Sequence, residues 1–156
     1  MEAQQNQQQN ANFMIQKIFI KDASFESPQA PTVFKGKWQP EANIDLNTDA
    51  NKVDNDLYEV TLTVTVTAKN DQQAAFVAEV KQSGIFTING IAENQMGHLL
   101  GSFCPTILFP YAREAISNLV TRGGFPELAI APINFDVLYA QQMQQQASQQ
   151  KTATTH

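Results

Sequence analysis

The sequence predicts a protein of the α+β class, in which a four-stranded antiparallel sheet is followed by two helices. The first half of the chain alternates apolar and polar side chains with the two-residue period of β-strands. The second half changes to the spacing of an amphipathic helix, with apolar residues one and three positions apart. The length of 156 residues fits one domain with a core of its own.

Residues 57–68 are the clearest strand. Their apolar positions are Tyr58, Val60, Leu62, Val64, Val66 and Ala68, and these alternate with Glu59 and four threonines. This period predicts one buried and one exposed face, which is typical of an antiparallel sheet. A turn at residues 69–72 then leads into residues 74–80 as the hairpin partner, with Phe76, Ala78 and Val80 in one phase. Residues 42–46 and 13–25 supply the other two strands.

The first helix is predicted from a broad apolar stripe over residues 107–120, and Gly123 and Gly124 end it. Pro110 lies within this stripe, so the helix either begins near Pro110 or is kinked there. A second helix is predicted after Pro132, with Asn134 as its N-cap.

The two ends of the chain are rich in Gln and Asn and carry few apolar residues. Such segments bury too little apolar surface to offset their ordering entropy. We therefore expect disordered tails at residues 1–11 and 146–156, around a folded domain at residues 12–145.

The net charge of −5 argues against a nucleic-acid-binding surface, because that affinity comes mostly from clustered Lys and Arg. The single cysteine, Cys104, fits a reducing compartment. The N-terminus lacks the pattern of a signal peptide, and no stretch is long and apolar enough to span a membrane. We expect a cytoplasmic protein that does not insert into membranes.

Residues for catalysis or metal binding are scarce. The histidines are His98 and His156, and a zinc site needs three or four ligands where Cys104 and His98 supply two. The sequence has no GxSxG motif and no phosphate-binding glycine loop. We therefore expect neither an enzyme nor a bound metal or cofactor, and we interpret Cys104 as a buried apolar side chain.

Two groups of surface residues point instead to binding. Phe25, Phe34, Trp38 and Phe125 lie beside prolines in segments without regular period. Each ring alone is more often core than surface, but four together suggest an aromatic groove for extended peptides. Asp22, Glu26 and Glu79 fall on solvent-facing strand positions, which by themselves indicate only a solvated sheet face.

Short sequence motifs are more specific to a family than the periodicity of the chain. Residues 108–114, LFPYARE, follow Gly90-Ile91, Gln95-Met96, His98 and Cys104-Pro105. Phe125-Pro126, Asn134-Phe135-Asp136 and Leu138-Tyr139 come after them, and Ile20-Lys21-Asp22 and Trp38-Gln39-Pro40 precede them. Over about residues 13–143 this pattern resembles the SecB family of bacterial export chaperones.

The resemblance implies a four-stranded sheet with two helices packed on one face, assembled as a homotetramer that is a dimer of dimers. It also implies a chaperone that holds unfolded precursor polypeptides without ATP and delivers them to the SecA motor. The C-terminal tail departs from the acidic tails common in the family, which puts any tail contact with SecA in doubt.

The resemblance assigns residues to three surfaces. The client-peptide groove has Phe34, Trp38, Phe125, Phe135, Leu138 and Tyr139. The SecA-binding face has Asp22, Glu26, Val77 and Glu79, and Phe76, Ala78 and Val80 make subunit contacts. The alternatives from other classes are a small-molecule or catalytic domain with a closed pocket under the helices, and a purely structural oligomer.

Overall fold

The computed structural model describes residues 11–153, in which four strands precede the α-helices. The strands are β1 (Asn12–Glu26), β2 (Glu41–Asp54), β3 (Leu57–Asn70) and β4 (Gln73–Asn89). A short 3-10 helix (Thr32–Lys35) lies between β1 and β2. The helical half contains α1 (Glu93–His98), a π-helical turn (Leu99–Phe103), α2 (Cys104–Arg122) and α3 (Phe135–Ala153). The predicted α+β class is confirmed.

The strands form one antiparallel sheet in the order β1-β4-β3-β2. The predicted turn between β3 and β4 has Asp71 and Gln72 at positive φ angles of 51° and 64°. Two consecutive positive φ angles suit a tight hairpin turn, because their twist matches that of the flanking strands. The two edge strands, β1 and β2, each lie beside one strand of this sheet and leave a free backbone edge.

The core lies between the sheet and α2, which packs across β3 and β4. Val60, Leu62, Val64 and Val66 of β3 are completely buried, as the two-residue period predicts. From α2, Leu108, Ala112, Ile116 and Val120 cover them with the helical spacing seen in the sequence. The centre of the sheet is therefore a rigid support for whatever the edges and loops carry.

The first helical segment starts earlier than the sequence predicts. Helical structure begins at Glu93 and continues through the π-helical turn into α2, so Pro110 lies inside the helix and does not start it. Gly97, Gly101 and Pro105 are poor helix formers and hide this start in the sequence. Pro105 follows the π-helical turn directly, and the chain stays helical through it.

The predicted start of the last helix is confirmed. The side-chain Oδ1 of Asn134 accepts a hydrogen bond from the Val137 N–H at 3.2 Å, which is the N-cap arrangement. The sequence predicts a disordered tail from residue 146, whereas α3 continues to Ala153. Glutamine is a good helix former, so the Gln run can extend the helix although its side chains are not buried. Residues 1–10 and 154–156 of the two predicted tails lie outside the described residues.

Within residues 11–153, none of the helices has the length and apolar character needed to cross a membrane.

Candidate functional site

An aromatic cluster forms where the end of α2 meets the segment between β1 and β2. Phe125 is its centre, with ring centroids 4.9 Å from Phe76, 5.1 Å from Trp38 and 5.2 Å from Phe34. Phe25 stacks on Phe76 at 5.7 Å. Such offset and tilted ring pairs are favourable beyond the area they bury. Three of the six groove residues predicted from the sequence, Phe34, Trp38 and Phe125, therefore come together in one place.

The cluster is buried at its base and open at its rim. Phe125 is 5% exposed and Phe76 is 1% exposed, whereas Phe34 is 51% exposed and Trp38 is half-buried. A half-exposed phenylalanine on a rigid base leaves apolar area in contact with water. This arrangement favours contact with an apolar partner side chain.

Two glycines at the end of α2 provide the seat of the cluster. A Cβ atom on Gly123 would overlap with the Phe25 ring, and one on Gly124 would lie 3.2 Å from Cζ of Phe34. Gly124 has a φ angle of 90°, and the Phe125 N–H donates to the Val120 carbonyl at 3.2 Å. This is a Schellman-type helix end, for which glycine is the usual residue. The same two glycines thus end the helix and admit two rings.

Hydrogen bonds to the β3–β4 hairpin hold the segment that carries Trp38. The Asn70 side chain accepts from the Gln39 N–H and donates to the Lys37 carbonyl, each at 3.0 Å. At the other end of the segment, the Ser27 hydroxyl donates to the Ala75 carbonyl at 3.0 Å. The segment is fixed at both ends, so the rim of the cluster is positioned by the sheet.

The other three predicted groove residues, Phe135, Leu138 and Tyr139, form a second site on α3. They line one side of an open groove of about 360 Å³, and Ile44 and Leu46 of β2 line the other side. Phe135 is buried against Phe109 with ring centroids 5.7 Å apart, while Leu138 is exposed. The groove runs beside edge strand β2, whose backbone pairs with a strand on one side only. It therefore combines apolar side chains, and polar ones such as Asp45 and Gln142, with a nearby strand edge.

The four predicted SecA-binding residues share the sheet face away from α2. Glu26 pairs with Val77, Ser24 with Glu79, and Asp22 with Lys81, and directly paired residues point to the same face. The Thr65 hydroxyl donates to Glu79 at 2.9 Å and fixes that carboxylate. Asp45 of β2 pairs with Thr65 and adds a further carboxylate to the face. Asp22, Glu26, Val77 and Glu79 thus lie on one sheet face, where Lys81 and Asp45 lie beside them.

Phe76, Ala78 and Val80 lie in the core of the chain, although the sequence predicts them at subunit contacts. Their exposed fractions are 1%, 0% and 0% in the single chain. In the single chain these side chains pack against the chain's own helices and rings. Their role at subunit contacts stays a prediction.

His98 has partners that the sequence did not reveal. Its Nε2 lies 2.7 Å from Oδ1 of Asp136, and the Ser102 hydroxyl donates to the same oxygen. The Ser102 and His98 hydrogen bonds lower the pKa of Asp136. A catalytic triad needs the imidazole between serine and carboxylate, whereas here the carboxylate is in the middle and Ser102 is buried. This geometry does not activate Ser102 as a nucleophile.

Cys104 is completely buried at the start of α2, and burial raises the pKa of its thiol to about 12. The neutral thiol is neither a nucleophile nor a good metal ligand at neutral pH. Among residues 11–153, no three His, Cys, Asp or Glu side chains come together in a way that could hold a metal ion.

The sequence analysis names Phe25 among the groove aromatics, although the residues assigned by family resemblance leave it out. It misses Phe76 as a member of the aromatic cluster and assigns it to a subunit contact. Phe25 of β1 pairs with Ala78 of β4, two residues from Phe76, and this pairing brings the two rings together. Strand register of this kind cannot be read from one sequence.

Comparisons with known proteins identify a family and relatives of this chain. A family model described as preprotein translocase subunit SecB matches residues 5–146. The protein-export protein SecB of Legionella pneumophila (strain Corby) is 58% identical over 141 residues, 90% of this chain and 87% of that protein. The protein-export protein SecB of Methylococcus capsulatus is 50% identical over 154 residues, 99% of each chain.

A solved structure shows the same fold. It is a Mycobacterium tuberculosis SecB-like chaperone in complex with a peptide from the HigA1 antitoxin, with a TM-score of 0.65 and 16% identity. The match covers 78% of this chain and 90% of that one. At this identity the likeness concerns the fold alone.

Proposed function

We propose that this chain is a chaperone that holds unfolded precursor proteins for export without ATP. The proposal starts from its family, since the chain belongs to the SecB family of preprotein translocase subunits. The relatives named protein-export protein SecB support this proposal. In such a role the protein binds and makes or breaks no bond. It acts by mass action, because a protein that binds the unfolded state lowers the population free to fold or aggregate.

The observation that carries the proposal is the aromatic cluster, which is rigid at its base and open to solvent at Phe34 and Trp38. Aromatic rings on a fixed support bind apolar side chains with little loss of conformational entropy. A folded protein hides such side chains in its core, whereas an unfolded chain exposes them. The cluster therefore selects unfolded polypeptide without a fixed sequence.

The groove beside β2 provides a second contact for the same client. Ile44, Leu46, Leu138 and Tyr139 offer apolar walls, and the free edge of β2 offers backbone hydrogen-bonding groups. An extended segment can add to such an edge through its own backbone, which every sequence has. Two weak sites that engage one long chain gain affinity through effective concentration. Long unfolded clients should thus bind more tightly than short peptides.

Delivery is proposed to occur through the acidic sheet face of Asp22, Glu26, Val77 and Glu79, with a basic segment of SecA as the partner. Opposite charge across such an interface chiefly raises the association rate and the specificity. The face lies on the opposite side of the sheet from α2 and the aromatic cluster. Client and SecA can therefore be bound at the same time.

The proposed assembly is a homotetramer, a dimer of dimers, in the cytoplasm. Met14, Ile15 and Ile20 of edge strand β1 are exposed, as is Tyr111 of α2. Apolar side chains on a free strand edge and on a helix are two separate surfaces for association. Two different surfaces are what a dimer of dimers requires.

The direct test dilutes guanidinium-unfolded citrate synthase into buffer with and without the protein, in the absence of nucleotide, and follows light scattering. The proposal predicts suppressed scattering and no effect of ATP. A closed-pocket protein predicts unaltered aggregation together with saturable binding of one small metabolite. A structural oligomer predicts neither effect, so unchanged scattering at a tenfold molar excess of protein would refute the proposal.

A further inference from the structure

The position of α3 depends on contacts near its N-terminal end. Of its described side chains, Phe135 is buried and Tyr139 is half-buried, while residues 140–152 are exposed. Residues 140–149 bury no side chain, although Gln141, Gln142 and Gln145 line the groove beside β2. The buried contacts of the first turns of α3 are made by residues 135–139.

Tyr139 fits against α1 and the π-helical turn because two glycines leave room for its ring. A Cβ atom on Gly97 would lie 2.6 Å from the Tyr139 hydroxyl oxygen, and one on Gly101 would lie 2.7 Å from ring atom Cδ2. The Tyr139 ring also meets the His98 ring edge to face, with centroids 5.7 Å apart. The helix is thus seated against the segment that contains His98.

Asp136 joins the same two segments by hydrogen bonds. One carboxylate oxygen accepts from the Ser102 hydroxyl of the π-helical turn and lies 2.7 Å from Nε2 of His98 at the end of α1. Thr106 and Asn134 line the same pocket as Asp136 and carry no charge, and the ring of Tyr139 lies against that of His98. The hydrogen-bond partners of the Asp136 carboxylate are Ser102 and His98.

The contacts of Asp136 matter for the client groove, because α3 forms one of its two walls. Leu138 and Tyr139 face Ile44 and Leu46 across the groove, and β2 is fixed in the sheet. A movement of α3 beyond Phe135, which is anchored in the core, changes the width of the groove. Whatever holds the first turn therefore sets the shape of the site.

We propose that Asp136 is a positioning residue for client binding, which latches α3 to His98 and Ser102 and so sets the width of the groove between α3 and β2. This inference rests on the proposed function. Release of the latch lets α3 move away from β2, and the groove loses its preorganised apolar wall. Bound clients then dissociate faster.

The latch depends on pH with a defined sign. It is strongest when Asp136 is ionised and His98 is protonated, since the pair then carries opposite charges. Because the pKa of Asp136 is lowered, its carboxylate stays ionised until the pH falls below its ordinary range of about 4. The latch is therefore intact at neutral pH and is lost as the pH falls through the lowered pKa of Asp136.

The experiment measures hydrogen exchange of residues 135–143 in the whole assembled protein at pH 7, for the wild type and its variants. It also measures the dissociation rate of reduced, carboxymethylated ribonuclease A, which stays unfolded. Asp136→Ala should raise both exchange and dissociation about two- to fivefold over the wild type, the scale of an exposed ion pair. His98→Gln should raise both by less, because the Ser102 hydroxyl still donates to Asp136. Asp136→Glu should restore part of the slow exchange and dissociation.

Glu93→Gln is the matched control, since it removes an exposed carboxylate from α1 and should behave as the wild type. If Asp136→Ala leaves the exchange of α3 and the dissociation of client unchanged, the latch is refuted. A wild type that binds no unfolded ribonuclease A at all would instead refute the proposed function. These two failures are distinct, because exchange of α3 is measured without client.

Discussion

At the scale of single residues, position within the aromatic cluster decides whether a ring serves stability or binding. Phe125 lies at the buried centre and Phe34 at the exposed rim, although both are phenylalanines and their rings are 5.2 Å apart. Burial of a phenylalanine contributes to folding, whereas an exposed ring contributes area for a partner. The two roles can therefore be separated by mutation.

The substitutions Phe34→Ala and Phe125→Ala form a matched pair. Phe125→Ala should lower the free energy of unfolding by about 3–5 kcal/mol, as for a buried phenylalanine, and Phe34→Ala by about 1 kcal/mol or less. Both should weaken the binding of unfolded polypeptide. Urea denaturation and client titration test this pair, and a Phe34→Ala variant with wild-type client affinity would contradict the rim assignment.

Gly123 offers a second test at this scale. Gly123→Ala adds a methyl group inside the space of the Phe25 ring, so the ring must move, and overpacking of this kind costs about 1–3 kcal/mol. Gly36→Ala is the control, because its added methyl group would meet nothing within 4 Å. Thermal unfolding of both variants decides the matter. Equal stability of the two would show that the Phe25 ring has another place to go.

At the scale of elements, the sheet separates two surfaces. The inner side carries α2 and the cluster, and the outer side carries Asp22, Glu26 and Glu79. Because strand residues alternate between the faces, a substitution on the outer face leaves inner side chains in place. Partner binding and client binding should thus respond to different mutations.

Glu79→Lys reverses one charge at the centre of the acidic face and should weaken SecA binding at least tenfold, since like charges then oppose the basic partner. Client binding and the oligomeric state should stay as in the wild type. The control Glu93→Lys makes the same charge change on α1. Surface plasmon resonance with SecA, together with sedimentation, tests this; loss of assembly or of client binding in Glu79→Lys would count against a separate docking face.

The elements themselves were largely predictable from sequence, because local periodicity determines them. The alternation of β3 and the stripe of α2 appear directly in residues 57–68 and 107–120. The start at Glu93 was not predictable, since Gly97, Gly101 and Pro105 disfavour helix locally and only packing against Tyr139 explains both glycines. Similarly, α3 reaches Ala153 through helix propensity alone.

At the scale of the whole molecule, the site depends on which distant segments meet. The aromatic cluster joins residues from β1, β4, the 3-10 helix and the end of α2, and sequence reasoning assigned Phe76 to another surface because its neighbours depend on strand register. The contact of Asp136 with His98 and Ser102 was missed for the same reason, as these residues are far apart in the chain.

The open cluster is the feature on which the account depends, and Trp38 reports on it directly. It is the single tryptophan of the chain and lies 5.1 Å from the Phe125 ring. Reduced, carboxymethylated ribonuclease A contains no tryptophan, so a titration followed by fluorescence sees Trp38 alone. The account predicts a saturable change in Trp38 emission with this unfolded chain and none with native ribonuclease A. Binding of the unfolded chain, detected by sedimentation, without any change in Trp38 emission would contradict it.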